Sequence, residues 1–300
     1  MTKLKRYIAQ EIAQDHVDGL MTRREALRRL ALLGLGATAA SALIAACSSD
    51  NPAITGPTTS PATSPNRSAP ATTAPVPTEA ITFADPAGRT LMGAWAPAAS
   101  PRGGVLVIHE NRGLTEHIRS VAGRFAGSGY SALAIDLLSE EGGTAAAGDN
   151  AQAMLGNAPE SRLVADMKAG VTEIIERLPG KKVAAVGFCF GGGMVWRLVG
   201  SPEPRLAAAV PFYGPTQDNP DFTGAKAAVF GIYGALDGDR VNGGRAPNEA
   251  ALKKAGLPYQ IVTYEGANHA FFNDTGPRYN ATRAREAYAA VLDWFGRYVG

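Results

Sequence analysis

Gly187-Phe188-Cys189-Phe190-Gly191 follows directly on the apolar run Val183-Ala184-Ala185-Val186. A strand that runs into Gly-x-Cys-x-Gly and then into a helical segment has the form of a nucleophile elbow, with cysteine in the serine position. The central residue of such a turn is strained, and glycines two positions away on either side remove the side chains that would clash. The turn directs the central side chain towards a helix N-terminus. The partial positive charge there helps form a thiolate from a group whose ordinary pKa is about 8.5. The bland alternative is a small buried cysteine in a tight strand–helix turn. No Gly-Lys-Ser/Thr follows the glycines, which excludes a phosphate-binding loop.

A thiol nucleophile needs a base. His109, His117 and His269 are the histidines beyond the N-terminal segment, and only His269 lies downstream of Cys189. An elbow hydrolase runs nucleophile, acid, histidine along the chain. The acid is therefore expected between them, and Gly234-Ala235-Leu236-Asp237-Gly238-Asp239-Arg240 supplies it after the run 228–233. Asp237 is the first choice to orient the imidazole, with Asp239 a close rival; turn chemistry of Asp-Gly is the alternative for either. Asp237-x-Asp239 does not continue as a calcium loop, since Val241 takes the next alternate position. His109-Glu110-Asn111-Arg112-Gly113 has glycine where a zinc motif needs its second histidine.

These residues need a scaffold, and the chain's 300 residues and 45% hydrophobic content are enough for one large α/β domain. The apolar runs 105–108, 132–135, 183–186, 207–210, 228–233 and 259–264 do not alternate, as expected of strands covered on both faces of a parallel sheet. Helical patterns fall at 115–128, 160–178, 191–200, 245–255 and 281–298, and 81–83 with 91–95 reads as an opening antiparallel pair. Alternating β and α segments predict a mostly parallel, doubly wound sheet whose ligands bind beyond the strands' carboxyl ends.

Residues 1–46 have a different character. Thr22-Arg23-Arg24 precedes the uncharged run Leu30 to Ala46, which ends Leu43-Ile44-Ala45-Ala46-Cys47. This reads as a twin-arginine-like export signal closed by a lipobox, with Cys47 the lipidated first residue of the mature chain. The alternative is an uncleaved anchor at the short limit for spanning. The segment 47–79, rich in Pro, Thr, Ser and Ala, reads as a disordered linker, and 80–300 as the catalytic domain. Seven of the 29 Lys/Arg and four of the 27 Asp/Glu lie in 1–46, which leaves a net charge of −1 on the remainder. That balance offers no footprint for nucleic acid. Two cysteines make no disulfide framework.

Residues 80–300 resemble the dienelactone hydrolase family of the α/β-hydrolase fold. The resemblance rests on Val107-Ile108-His109-Glu110-Asn111-Arg112-Gly113-Leu114, on Gly187-Phe188-Cys189-Phe190-Gly191-Gly192, on the acid loop 234–242 and on Asn268-His269-Ala270-Phe271. It implies a triad of Cys189, Asp237 and His269, with Glu110 paired to the resting thiol. It also implies an oxyanion hole from the backbone N–H groups of Asn111 and Phe190. Lactone hydrolases of this family hold a substrate carboxylate with arginines; Asn273 stands at one such position, and Arg162 is the candidate for the other. The expected protein is an exported, lipid-anchored monomer on the outer face of a bacterial cell membrane. It would cleave a small ester or lactone through an acyl-thiol intermediate, without metal or organic cofactor. A surface esterase, thioesterase or acyl transferase of the same mechanism, and a non-catalytic module retaining the pocket, are the alternative functions.

Overall fold

The computed structural model describes residues 1–49 and 74–300. Three helices come first: α1 (Lys3–Val17), α2 (Arg23–Leu32) and α3 (Ala37–Ser49). Then follow β1 (Glu79–Ala84), β2 (Thr90–Ala96), β3 (Gly103–Ile108), α4 (Glu116–Gly127), β4 (Tyr130–Asp136), α5 (Thr144–Ala147), α6 (Ala151–Asn157) and α7 (Glu160–Arg177). The elbow joins β5 (Val183–Phe188) to α8 (Phe190–Gly200). The chain closes with β6 (Leu206–Phe212), β7 (Ala228–Gly234), α9 (Asp239–Asn242), α10 (Arg245–Ala255), β8 (Tyr259–Tyr264) and α11 (Ala281–Tyr298).

The strands form one eight-stranded sheet in the order β1-β2-β4-β3-β5-β6-β7-β8. β1 and β2 pair antiparallel, β2 joins β4 antiparallel, and every later pairing is parallel. The expected mostly parallel, doubly wound α/β-hydrolase architecture is the one observed. β3, β4, β5 and β7 are buried along their whole lengths, which is why their sequences are apolar without alternation.

Adjacent residues of β3 identify the two covering layers. A Cβ on Gly103 would meet Val299 just past α11, and one on Gly104 would meet Ile174 of α7 at 2.2 Å. Successive strand positions face opposite ways, so α11 and α7 cover opposite faces. Phe125 of α4 packs on Tyr288 and Phe295, which places α4 beside α11.

The apolar run 30–46 is not one helix. It breaks between α2 and α3, where Gly34 takes φ +80°. Among the described residues, no helix is long and apolar enough to cross a membrane. Most of the expected linker 47–79 lies outside the described residues, while residues 1–46 pack on the sheet domain. Ile8 and Leu33 reach Gly156 of α6, Lys5 Nζ donates to Asn157 Oδ1 at 2.8 Å, and Arg29 Nη1 donates to Gln152 Oε1 at 2.8 Å.

Candidate active site

Cys189 sits between β5 and α8 with φ 57° and ψ −118°, a conformation disfavoured for a residue with a Cβ. The surrounding glycines permit it. A Cβ on Gly187 would lie 2.2 Å from the Gly191 carbonyl oxygen, and one on Gly191 would lie 2.4 Å from that of Ile108. The second approach seats the first turn of α8 against the carboxyl end of β3, where His109, Glu110 and Asn111 begin the next loop. Phe190 is the first residue of α8, so its N–H belongs to the unpaired first turn of the helix. Four non-glycine residues among those described have positive φ, and three of them, Cys189, Tyr213 and Ala270, gather here. Tyr213 sets its ring edge-on to that of His269 at 5.0 Å, and Ala270 follows His269. Backbone strain concentrated in this way marks functional sites.

The loop after β8 brings His269 to the elbow. Its Nδ1 lies 2.6 Å from Asp237 Oδ2, and both side chains are buried. A histidine nitrogen and Cys189 Sγ lie within 4.8 Å of each other. Asp239, the rival acid, begins α9 and lines a cavity with Tyr7 and Arg240. The structure thus puts Asp237, rather than Asp239, on the imidazole.

The other histidines serve the scaffold. His109 donates from Nδ1 to the Glu110 carbonyl at 2.6 Å and accepts the Leu137 N–H on Nε2 at 3.1 Å, tying the ends of β3 and β4 together. Burial lowers its pKa and keeps it neutral. His117 Nδ1 lies 2.9 Å from Asp274 Oδ1, and Arg124 also reaches that carboxylate. Burial works against the Asp274 charge, but these partners hold its pKa down to about 2. This pins the His269 loop to α4.

Two expected residues have other partners in the structure. Glu110 is expected at the resting thiol, yet its Oε2 accepts from Asn273 Nδ2 at 2.7 Å. The carboxylate that meets Sγ is Glu11 of α1, with Oε2 4.0 Å from the sulfur and 3.5 Å from His269 Nε2. Glu110 still acts on the thiol through its charge. Arg162, the candidate substrate ligand, is held among Glu140, Glu141 and Asp166 and hydrogen-bonds to no triad member. These carboxylates engage its guanidinium before any substrate arrives.

Sequence reading missed Tyr7 as well. Its hydroxyl lies 3.2 Å from Cys189 Sγ and 3.4 Å from His269 Nε2. The signal was a buried stripe along α1, Leu4, Tyr7, Ile8, Glu11, Ile12 and Asp15, at helical spacing.

Burial pushes the Cys189 thiol up, and the Glu11 charge adds to it. Burial opposes a charge on His269, but Asp237 and then Glu11 hold its pKa well above the ordinary value. Both directions favour a neutral thiol beside an imidazole that keeps its proton. Among the described residues, Glu11, Cys189 and His269 also form a group that could together hold a metal ion.

A model of the dienelactone hydrolase family matches residues 92–299. A protein of Escherichia coli O157:H7 named "Putative carboxymethylenebutenolidase" is 33% identical over 211 residues, which are 65% of this chain and 77% of that one. Its namesake from Methylorubrum extorquens is 30% identical over 65% of this chain and 72% of its own. Among solved structures, a "Putative Dienelactone Hydrolase" from Klebsiella pneumoniae superposes with a TM-score of 0.64 at 28% identity, covering 74% of this chain and 99% of that one.

Proposed function

The chain belongs to the dienelactone hydrolase family, and from that premise we propose that Cys189, His269 and Asp237 form the triad of a carboxylic ester hydrolase working through an acyl-thiol. The observation that carries the triad is the contact of His269 Nδ1 with Asp237 Oδ2 at 2.6 Å, in a loop that sets the same imidazole beside Cys189.

His269 takes the Cys189 proton on Nε2, and the thiolate attacks the carbonyl carbon. Asp237 holds the Nδ1–H tautomer and stabilises the imidazolium. Charge develops on the carbonyl oxygen, where the N–H groups of Asn111 and Phe190 receive it, a stabilisation that is commonly the largest single contribution in acyl transfer. Collapse breaks the C–O bond, and His269 returns the proton to the alkoxide. In a lactone this alkoxide stays on the acyl chain, and the ring opens. Water then attacks the thioester, passes its proton to His269 and releases the acid and the free thiol. A slowly hydrolysed activated ester should leave one acyl adduct on the Cys189 peptide in mass spectra of quenched protein. An adduct confined to another residue would refute the mechanism.

We propose further that residues 1–46 direct export by a twin-arginine-like route and that Cys47 is lipidated. The Arg23-Arg24 pair, the uncharged run and the small residues before Cys47 support this. The native protein should then begin at Cys47 with added acyl mass, because one chain alone anchors weakly. An unmodified N-terminus upstream of Cys47 on the mature protein overturns it.

A further inference from the structure

We propose that helix α1 is an intramolecular inhibitor: it docks across the mouth of the site and closes Cys189 to substrate for as long as residues 3–17 remain in place. This rests on the hydrolase reading above for the nature of the substrate, but not for the closure itself.

The Tyr7 hydroxyl contacts both Cys189 Sγ and His269 Nε2, at 3.2 and 3.4 Å. It occupies the space a carbonyl must enter, since reacting atoms need to come within about 3–3.5 Å. Cys189 and His269 are buried. Beside them lies a cavity of about 490 Å³ lined by Tyr7, Asp239 and Arg240 among others. Tyr7 therefore partitions that cavity from the sulfur, and its departure would join the two.

The latch is electrostatic. Two acids of α1, Glu11 and Asp15, and Asp18 at its C-cap meet three arginines at the rim. Glu11 Oε1 accepts from Arg240 Nε at 2.9 Å, Asp15 lies 3.3 Å from Arg112 and 3.4 Å from Arg278, and Asp18 pairs with Arg278. A buried carboxylate beside a thiol is unfavourable unless paired, and Arg240 provides the pairing. Arg240 also bonds Asp237 at 3.2 Å, so the latch reaches the triad acid directly.

One further observation, together with the processing proposed above, sets α1 apart from the working domain. The helix lies outside the matched residues 92–299. It also belongs to the part that cleavage before Cys47 would remove, so the same cut that matures the chain would uncover the thiol. Latency before export and activity after it follow from one event. The charge environment agrees: Glu11 raises both the thiol and the imidazole, and a protonated imidazole accepts no proton from the nucleophile.

The test is the rate of iodoacetamide alkylation at Cys189, read on its own peptide, in the full chain. Two variants undock α1 by different means: Ile8→Glu with Ile12→Glu removes its apolar anchor, and Asp15→Arg sets like charges against Arg112 and Arg278. Each should speed alkylation roughly tenfold or more, as expected when a closed state loses its local stability. A synthetic peptide of residues 2–18 should slow the Asp15→Arg protein again, and the same peptide with Glu11→Ala should not. Where the double variant does not fold, Asp15→Arg decides. Wild-type alkylation rates in Asp15→Arg overturn the proposal. So does faster alkylation accompanied by loss of an ester turnover that wild type possesses, because Tyr7 and Glu11 would then be working parts. Faster alkylation with no ester cleaved by any form leaves the closure standing and removes the hydrolase reading instead.

Discussion

Cys189→Ala is expected to abolish ester turnover. Removing the nucleophile of a triad enzyme lowers kcat by about 10⁶ where that residue works as one unit with its base. The fold should survive, because the change deletes one sulfur at a turn whose backbone is held by Gly187 and Gly191. Near-equal kcat/KM for the variant and its parent, with matching melting curves, would exclude the thiol as nucleophile. Cys189→Ser is expected to keep a small residual rate, since the hydroxyl is in place but holds its proton more tightly. The contrast between the two variants separates a chemical loss from a structural one.

The second large effect is at the acid loop. Asp237→Asn should lower kcat by about 10⁴, because the amide cannot fix the Nδ1–H tautomer or stabilise the imidazolium. KM should change little, as Asp237 is buried behind His269 rather than facing the substrate. Asp239→Asn is the control. Asp239 stands at the first turn of α9, and its loss should leave kcat within a few-fold of the parent. A larger fall at 239 than at 237 would reverse the assignment. Both measurements are best made with Asp15→Arg present, where turnover is expected to be highest.

The sheet was legible because its strands are covered on both faces. The runs around 105–108, 183–186 and 228–233 lie within β3, β5 and β7, and each is continuous for the same reason that each is buried. The elbow was legible because its demand for glycine is local: Gly187 and Gly191 are tied to Cys189 by spacing, whatever the rest of the chain does. That an acid of the 234–240 loop and then His269 follow Cys189 was also readable from chain order.

Choosing between Asp237 and Asp239 needed the tertiary structure. One residue, Gly238, separates them, and with α9 beginning at 239 one acid meets His269 while the other lines a neighbouring cavity. The partner of the thiol needed it as well. Glu110 stands next to the right strand, but Asn273, 163 residues away, takes its carboxylate, and Glu11, 178 residues from Cys189, comes in its place. Composition identified residues 1–46 by their basic pair and apolar run, and it carried no information on where they dock. A helix face becomes a plug only when a second surface fits it. Here that surface is built from Arg112, Arg240, Arg278 and Gly156, residues scattered over 167 positions that meet only once the sheet has assembled.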